Sequence, residues 1–130
     1  MPGRNLEKEA MKIIITSEGT NLESQVDPRF GRAKYFILVD TDTGEFSAHD
    51  NGQNLNAPQG AGIQAAQAVA RLGAETVLTG HVGPKAFTTL QAANVAIYTG
   101  VLGTVKEAIE QFNGGRLTPA AKADVQGHWA

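Results

Sequence analysis

The residues best suited to chemistry lie in one glycine-rich turn, Gly80-His81-Val82-Gly83. The run Glu75 to Thr79 before this turn favours a short strand, and Pro84 after it is typical of the first position of a helix. In a parallel α/β sheet, such a turn lies at the carboxyl edge, where free backbone N–H groups and the helix dipole can receive an anion. The sequence therefore predicts an anion-binding turn with His81 in its middle.

Four further residues are candidates for the same site. Arg32 precedes the second predicted strand and could attract an anion, while Gly103 and Thr104 precede the last predicted helix. His49 ends the third predicted strand and is a second possible metal ligand. Each also has an ordinary structural explanation, since arginines are often solvated, histidines often cap helices and glycines often only form turns.

Composition restricts the kinds of site that this chain can build. The 130 residues carry a formal net charge of -2 and no cysteine. Without cysteine, thiolate metal sites, disulfides and cysteine nucleophiles are excluded. The absence of a basic excess argues against a nucleic-acid partner. A metal would have to be held by histidine, by carboxylates or by ligands that it brings with it.

No apolar run approaches the roughly 20 residues that a membrane-spanning helix needs, so no membrane partner is expected. The amino terminus also lacks the apolar core of a signal peptide. The expected location is therefore the cytoplasm.

The pattern of apolar residues predicts an α/β fold with the element order β-β-β-α-β-α-β-α. Apolar runs indicate buried strands, and alternation over Glu45–His49 indicates an edge strand. The predicted strands are Ile13–Ile15, Lys34–Asp40, Glu45–His49, Glu75–Thr79 and Val95–Tyr98, and the predicted helices are Ala61–Leu72, one beginning at Pro84, and one capped by Thr104 and Glu107 and ended by Gly114-Gly115.

This order favours a five-stranded mixed sheet with the strand order 3-2-1-4-5, in which strand 2 is antiparallel. Right-handed crossovers then bring the ends of strands 1, 3, 4 and 5 to one edge. That edge would gather the glycine turn at His81, Arg32, His49 and the segment from Gly100 to Thr104. Such convergence is what a ligand crevice requires.

The ends of the chain differ from its middle. Residues 1–10 are polar and charged, and only Leu6 among them is a large apolar residue after Met1, so a flexible amino-terminal extension is predicted. Residues 11–117 are predicted to form the folded domain. Residues 118–130 form a carboxyl-terminal tail that closes with Gly127-His128-Trp129.

Five short motifs resemble the dinitrogenase iron-molybdenum cofactor biosynthesis domain family, and the resemblance extends from about Met11 to Leu117. The motifs, in order, are Phe30-Gly31-Arg32-Ala33 before Tyr35-Phe36, Gly60-Ala61-Gly62, Thr79-Gly80-His81-Val82-Gly83-Pro84, Gly103-Thr104-Val105 with Glu107-Ala108, and Gly115-Arg116-Leu117. The family includes nitrogenase accessory proteins and the orange protein, which binds a molybdenum-copper-sulfur cluster. The resemblance implies a ribonuclease-H-like α/β fold.

The resemblance also implies a carrier or binder of an anionic metal-sulfur cluster, of the Mo-Cu-S or Fe-Mo-S type, and not an enzyme. The residues expected at such a cluster are Arg32, Gly80, His81, Val82, Gly83, Gly103 and Thr104, with His81, and less directly His49, as metal ligands. Sulfides of the cluster itself would replace the missing thiolates. A cluster-accepting protein or a P-loop ATPase is the expected protein partner.

The sequence also allows a second functional class and disfavours a third. A metal-free regulatory or scaffold module could dock a partner protein, such as an ATPase, through the same edge. A nuclease is disfavoured, because ribonuclease-H-like enzymes need a carboxylate on the opening strand for their two metals, whereas Lys12 to Thr16 contains none.

Deletion of residues 1–10 tests the predicted extension. We expect the melting temperature to remain nearly unchanged, because the segment lacks an apolar face with which to contact the core. Differential scanning calorimetry of the full and shortened chains measures the difference. A loss of several degrees would contradict the prediction and show that the segment is docked.

Overall fold

The computed structural model describes residues 11–52 and 60–121, and in these ranges the elements follow the predicted order. Observed strand ends differ from the predicted ends by at most two residues. Predictions for residues 1–10, for His128 and Trp129 and for most of the loop before Gly60 lie outside the described residues. The strands are β1 (Lys12–Ser17), β2 (Tyr35–Asp40), β3 (Phe46–Asp50), β4 (Thr76–Leu78) and β5 (Ala96–Tyr98), and the helices are α1 (Ala61–Arg71), α2 (Pro84–Ala92) and α3 (Val105–Asn113).

The strands form one mixed sheet in the order β3-β2-β1-β4-β5. β2 is antiparallel to both β1 and β3, whereas β4 is parallel to both β1 and β5. The predicted strand order and the antiparallel second strand are therefore confirmed, and the arrangement is compatible with a ribonuclease-H-like motif. β1 is central because Ile13, Ile14 and Ile15 are all fully buried, so that this strand is covered on both faces.

Two hydrophobic cores lie on opposite faces of the sheet. On one face, α1 and α2 cover Ile14 and its neighbours, and the small side chains of Ala65 and Ala66 let α1 approach the sheet closely. On the other face, α3 packs Val105 against the core that contains Ile13. No helix in residues 11–52 and 60–121 is long and apolar enough to cross a membrane.

The loop between β1 and β2, residues 18–34, lies across the carboxyl edge of the sheet, and we call it the edge loop. The N–H of Val26 donates to the carbonyl of Gly103 at 2.8 Å, and the N–H of Asp27 donates to the carbonyl of Thr16 at 2.9 Å. The edge loop therefore links β1 to the turn before α3. The sequence of the edge loop does not predict this position, because these two bonds are made by single backbone groups and leave no periodic pattern of side chains.

Gly80 allows the edge loop to approach the β4–α2 turn. A Cβ atom at Gly80 would lie 2.7 Å from both the Cα and the carbonyl oxygen of Pro28, which is closer than such atoms can be. The backbone of Gly80 is not in the left-handed region, so space, and not conformational freedom, requires a glycine here.

The start of α3 has the predicted capping box. The hydroxyl of Thr104 accepts from the N–H of Glu107 at 3.1 Å, and the carboxylate of Glu107 accepts from the N–H of Thr104 at 2.9 Å. The apolar face predicted for this helix also packs as expected, with Val105 and Ala108 buried. The box therefore satisfies two backbone donors that a helix start otherwise leaves open.

Substitution Thr104→Ala is expected to lower the free energy of unfolding by about 1 kcal/mol, because the N–H of Glu107 loses its acceptor. Thr104→Ser keeps the hydroxyl and is expected to retain most of the stability. Urea denaturation measures both variants. Unchanged stability of Thr104→Ala, combined with reduced ligand uptake, would instead assign Thr104 to the binding site.

Substitution Gly80→Ala is expected to cost about 1–3 kcal/mol, because the added methyl group pushes against backbone atoms of Pro28 that cannot rotate away. Gly114→Ala is the control, since Gly114 is exposed at the end of α3 with a φ of -82°, and a Cβ atom there would meet the carbonyl oxygen of Glu110 at the longer distance of 3.2 Å. Chemical denaturation of the two variants measures the difference. Similar stabilities of both variants would show that the edge loop is not packed against Gly80.

Candidate functional site

His81 is held at the carboxyl edge by its backbone. Its N–H donates to the carbonyl of Pro28 at 2.7 Å, and its carbonyl accepts from the N–H of Phe30 at 3.2 Å. These two bonds form a short parallel bridge between Arg29 and His81. The edge loop therefore runs beside the glycine turn as a brief additional strand, and the main-chain N–H of His81 is already used.

The bridge places the side chain of Arg29 beside that of His81. Residues paired in a parallel bridge have Cα atoms about 4.8 Å apart and project their side chains to the same side. The following residues, Phe30 and Val82, are both fully buried in the core beneath α1 and α2. Arg29 and His81 consequently point away from that core, and the arginine is exposed while the histidine is half-buried.

Arg29 is not among the residues that the sequence predicts at the site. The sequence favours Arg32, because it lies close to the second predicted strand and within the motif Phe30-Gly31-Arg32-Ala33. The available signal was Pro28, which favours an extended backbone for the residue before it and fixes its own φ. An extended segment opposite a glycine can pair with another backbone, and that pairing brings Arg29 to His81.

Two buried polar side chains hold the rest of the edge loop. The carboxylate of Asp27, 3% exposed, accepts from the N–H groups of Arg29 and Lys34 at 3.2 and 3.3 Å. The side-chain amide of Asn51, also 3% exposed, donates to the carbonyls of Gly31 and Ala33 at 3.2 and 2.8 Å. Asn51 thus bonds to the residues on both sides of Arg32, which is itself half-buried. The backbone of the segment that carries both arginines is therefore held by buried side chains.

Two buried hydroxyl groups join the loop to the sheet beneath it. The hydroxyl of Thr16 lies 2.7 Å from the carbonyl oxygen of Asp27 and 2.7 Å from the hydroxyl of Thr79. Since a hydroxyl carries a single proton, Thr16 donates to Asp27 and accepts from Thr79. Both threonines are fully buried, so this link is shielded from water.

The three helices differ at their amino termini. α3 is closed, because the N–H groups of Val105 and Lys106 donate to carbonyls of the edge loop, both at 2.8 Å, and the capping box uses two more. α1 and α2 begin instead at Gly60 and Gly83, which supply no side-chain cap. The dipoles of α1 and α2 therefore point their positive ends at the carboxyl edge, and no side-chain acceptor among residues 11–52 and 60–121 caps them.

This difference separates the predicted site residues into two groups. Gly80, His81, Val82 and Gly83 lie together at the start of α2, next to Arg29. The carbonyl of Gly103 accepts from Val26, and the N–H of Thr104 donates to Glu107, so these two residues hold the edge loop and α3 in place. Their assignment as ligand contacts remains a prediction, with the observed bonds all structural.

His49 does not lie near His81. It sits on β3 at a register position opposite Phe36, and its Nε2 atom is 2.9 Å from the hydroxyl of Ser47. β2 and β1 separate β3 from β4, which corresponds to three strand spacings, or roughly 14 Å. One mononuclear metal ion cannot be bound by both histidines at that separation.

Protein ligands for a bare metal ion do not converge. Within residues 11–52 and 60–121, no group of three or more histidine and carboxylate side chains is arranged to hold one. The charged side chains of residues 28–34 and of the first turn of α2 are instead all cationic, namely Arg29, Arg32, Lys34 and Lys85. The arrangement suits an anion that already carries its own metal ligands.

Comparison with known proteins identifies relatives along nearly the whole chain. The apo form of the orange protein from Desulfovibrio gigas is 43% identical, with 90% of this chain and 99% of that chain covered and a TM-score of 0.87. A Thermotoga protein assigned as a NifB protein is 37% identical, with the same coverage and a TM-score of 0.78. An uncharacterized protein of Methanocaldococcus jannaschii is 26% identical over 114 residues, which cover 86% of this chain and 93% of the relative.

The sequence model of one family, described as dinitrogenase iron-molybdenum cofactor, matches residues 11–115. These residues include all five strands, all three helices and the glycine turn at His81. The resemblance read from the five short motifs is confirmed by this match. Since the match covers most of the chain, this protein belongs to the dinitrogenase iron-molybdenum cofactor family.

Proposed function

We propose that this protein binds and carries an anionic metal-sulfur cluster that contains molybdenum or iron, or the oxometalate precursor of such a cluster. The cargo is proposed to lie at the carboxyl edge, against Arg29, His81 and the first turn of α2. Arg32 adds charge at the same edge. Binding and transfer, with no chemical conversion by the protein, are the proposed activity.

The observation that carries this proposal is the bridge between Arg29 and His81. It puts a permanent cation and an imidazole next to each other, on a backbone that is fixed by bonds of 2.7 and 3.2 Å. A guanidinium group donates hydrogen bonds to sulfide or oxide ligands of a cluster, and an imidazole nitrogen can bind copper, iron or molybdenum. The pair therefore offers the two kinds of contact that an anionic cluster accepts.

The first turn of α2 offers further contacts for an anion beside Arg29 and His81. α2 begins two residues after Val82, and the N–H groups of Lys85 and Ala86 in its first turn have no acceptor within the parts of the chain that the structure describes. A bound anion would satisfy these donors and interact favourably with the helix dipole. Lys85 itself adds an exposed positive charge beside them.

A preassembled cluster fits the donor set better than a free metal ion does. The chain has no cysteine. Among its described residues, no three ligating side chains come close enough together to hold a metal ion. A cluster whose metals are already bound by sulfide needs only one protein nitrogen and several hydrogen-bond donors. The family description and the 43% identity to the orange protein support a molybdenum-containing cargo.

A metal-free docking module is the second candidate, and Leu102 is the observation that favours it. Its side chain is 74% exposed at the same edge, between β5 and α3. Leu102 could contribute apolar contact to a docked protein, such as an ATPase or a protein that accepts the cluster, although single exposed leucines are also common on monomers. Docking of an acceptor protein is also compatible with a carrier, because the cargo must leave at a surface.

Anaerobic reconstitution tests the carrier. We expect the purified protein, given molybdate, copper(I) and sulfide, to gain visible charge-transfer absorption that elutes with it on gel filtration. Metal analysis of the protein isolated anaerobically from its native host identifies the cargo. A colourless product in reconstitution, together with metal-free isolated protein, would leave the docking module as the function.

Two side-chain substitutions test the site. His81→Ala and Arg29→Ala are each expected to reduce retained metal about tenfold or more, because a ligand and a charge-assisted hydrogen bond are lost. The fold should persist, since the backbone bonds of both residues are unchanged in these variants. His81→Asn separates the roles of the histidine, because an amide keeps hydrogen bonding but is a poor metal ligand. Full retention by His81→Asn would assign a hydrogen bond, and low retention would assign ligation.

Two control variants make that test specific. Arg71→Ala removes an exposed arginine from the far end of α1, and Leu102→Ser removes the exposed leucine from the carboxyl edge. Both are expected to retain as much cluster as the unmodified chain. Equal retention by the His81, Arg29 and control variants would contradict the proposed site.

A further inference from the structure

The two outer strands of the sheet, β5 and β3, differ in whether another segment pairs with their outer side. The outer side of β5 is covered, because Pro119 forms an antiparallel bridge with Tyr98 and the N–H of Ala120 donates to the carbonyl of Ile97 at 2.7 Å. The outer side of β3 is paired with no other strand among the described residues. All of β3 is exposed except His49, which is half-buried.

The hydrogen-bond parity of β3 determines which of its backbone groups are open. The N–H of Asp40 donates to the carbonyl of Glu45, and the N–H of Asn51 donates to the carbonyl of Lys34. Because bonded residues alternate along an antiparallel pair, the backbone groups of Ser47 and His49 also point towards β2. The N–H and carbonyl groups of Phe46, Ala48 and Asp50 therefore point outward. They form a row of three donors and three acceptors along an open edge.

This row is complementary to itself. If a second β3 lies antiparallel with Ala48 opposite Ala48, then Phe46 lies opposite Asp50 of the other copy. The three outward N–H groups of each copy can then donate to the three outward carbonyls of the other, which gives six hydrogen bonds. Ser47 then lies opposite His49, and Glu45 lies opposite Asn51. No two like charges face each other, and the small side chain of Ala48 occupies the two-fold axis.

Two of the usual devices that prevent edge pairing, lysine and proline, are missing from β3. Its sequence, Phe46-Ser47-Ala48-His49-Asp50, contains neither lysine nor proline. Phe46 is 41% exposed, and a second strand beside it would cover part of that apolar surface. At β5, by contrast, Pro119 lies along the edge, so that of the two edges only the one at β3 is uncovered by the residues that the structure describes.

We propose that β3 is a self-association surface, at which two copies of this chain pair antiparallel and join their sheets into one of ten strands. Two five-residue strands bury less area than the roughly 1,200 Å² of a typical stable complex, so the dimer is weak and forms at high protein concentration. The proposal does not depend on the cargo, because β3 lies three strand spacings from the turn at His81.

A proline substitution tests the pairing by removing one outward donor. With rising concentration, sedimentation velocity should show the average mass of the unmodified chain increasing from 13.7 kDa towards twice that value. Ala48→Pro should remain monomeric, because the N–H at this position is lost on the open side only. Ala48→Ser keeps the N–H and should associate like the unmodified chain. An unmodified chain that stays monomeric at the highest attainable concentration, or a dimer that Ala48→Pro leaves unchanged, would overturn the proposal.

A disulfide test does not depend on whether the proline variant folds. The chain contains no cysteine, so one introduced cysteine can react only with that of another copy. Facing Cα atoms in a hydrogen-bonded pair are about 5.5 Å apart, within the range of a disulfide. Under mild oxidation, Ala48→Cys should form covalent dimers much faster than Thr88→Cys, which places the thiol on an exposed position of α2. Equal rates for the two variants would overturn the two-fold register.

Discussion

The hydrogen bond from the N–H of His81 to the carbonyl of Pro28, at 2.7 Å, is the contact on which the carboxyl edge depends. It joins the longest irregular segment of the fold to the turn between β4 and α2. The absence of a side chain at Gly80 permits this contact, because a Cβ atom there would overlap Pro28. Without the bond, Arg29 and His81 would belong to two separate loops. With it, they become neighbours on one short ladder.

The same loop determines which helix starts remain available to a ligand. Its carbonyls accept from the first N–H groups of α3, and Thr104 and Glu107 complete the closure. α1 and α2, which begin at glycines, receive no such acceptor from the described residues. The helix start on one face of the sheet is therefore used to anchor the edge loop. The two helix starts on the other face carry no such anchor among the described residues, and the proposed anion would lie at one of them.

The sequence predicts the regular part of this structure well and the irregular part poorly. Runs such as Ile13-Ile14-Ile15 and the box formed by Thr104 and Glu107 reflect local periodicity and local hydrogen bonding, so their elements, order and sheet topology were confirmed. The location of His81 at the carboxyl edge followed from that topology. The position of Arg29 did not, because it depends on a backbone bridge between segments about fifty residues apart. Likewise, the buried partners Asp27 and Asn51 act on backbone groups, which leave no pattern in the sequence. His49 was considered as a ligand because strand ends converge, but the width of three strands separates it from His81.

The bridge between Arg29 and His81 has a consequence for how such a protein can diverge. Every bond that the structure describes between the edge loop and the glycine turn is made by main-chain atoms, and the hydroxyls and carboxylate beneath them are buried. The backbone bonds that fix these two positions are consequently independent of which side chains stand there. Descendants of one ancestral chain could exchange these two residues while the backbone remained unaltered. A designer could use the same freedom, treating the two positions as a replaceable pair on a fixed frame.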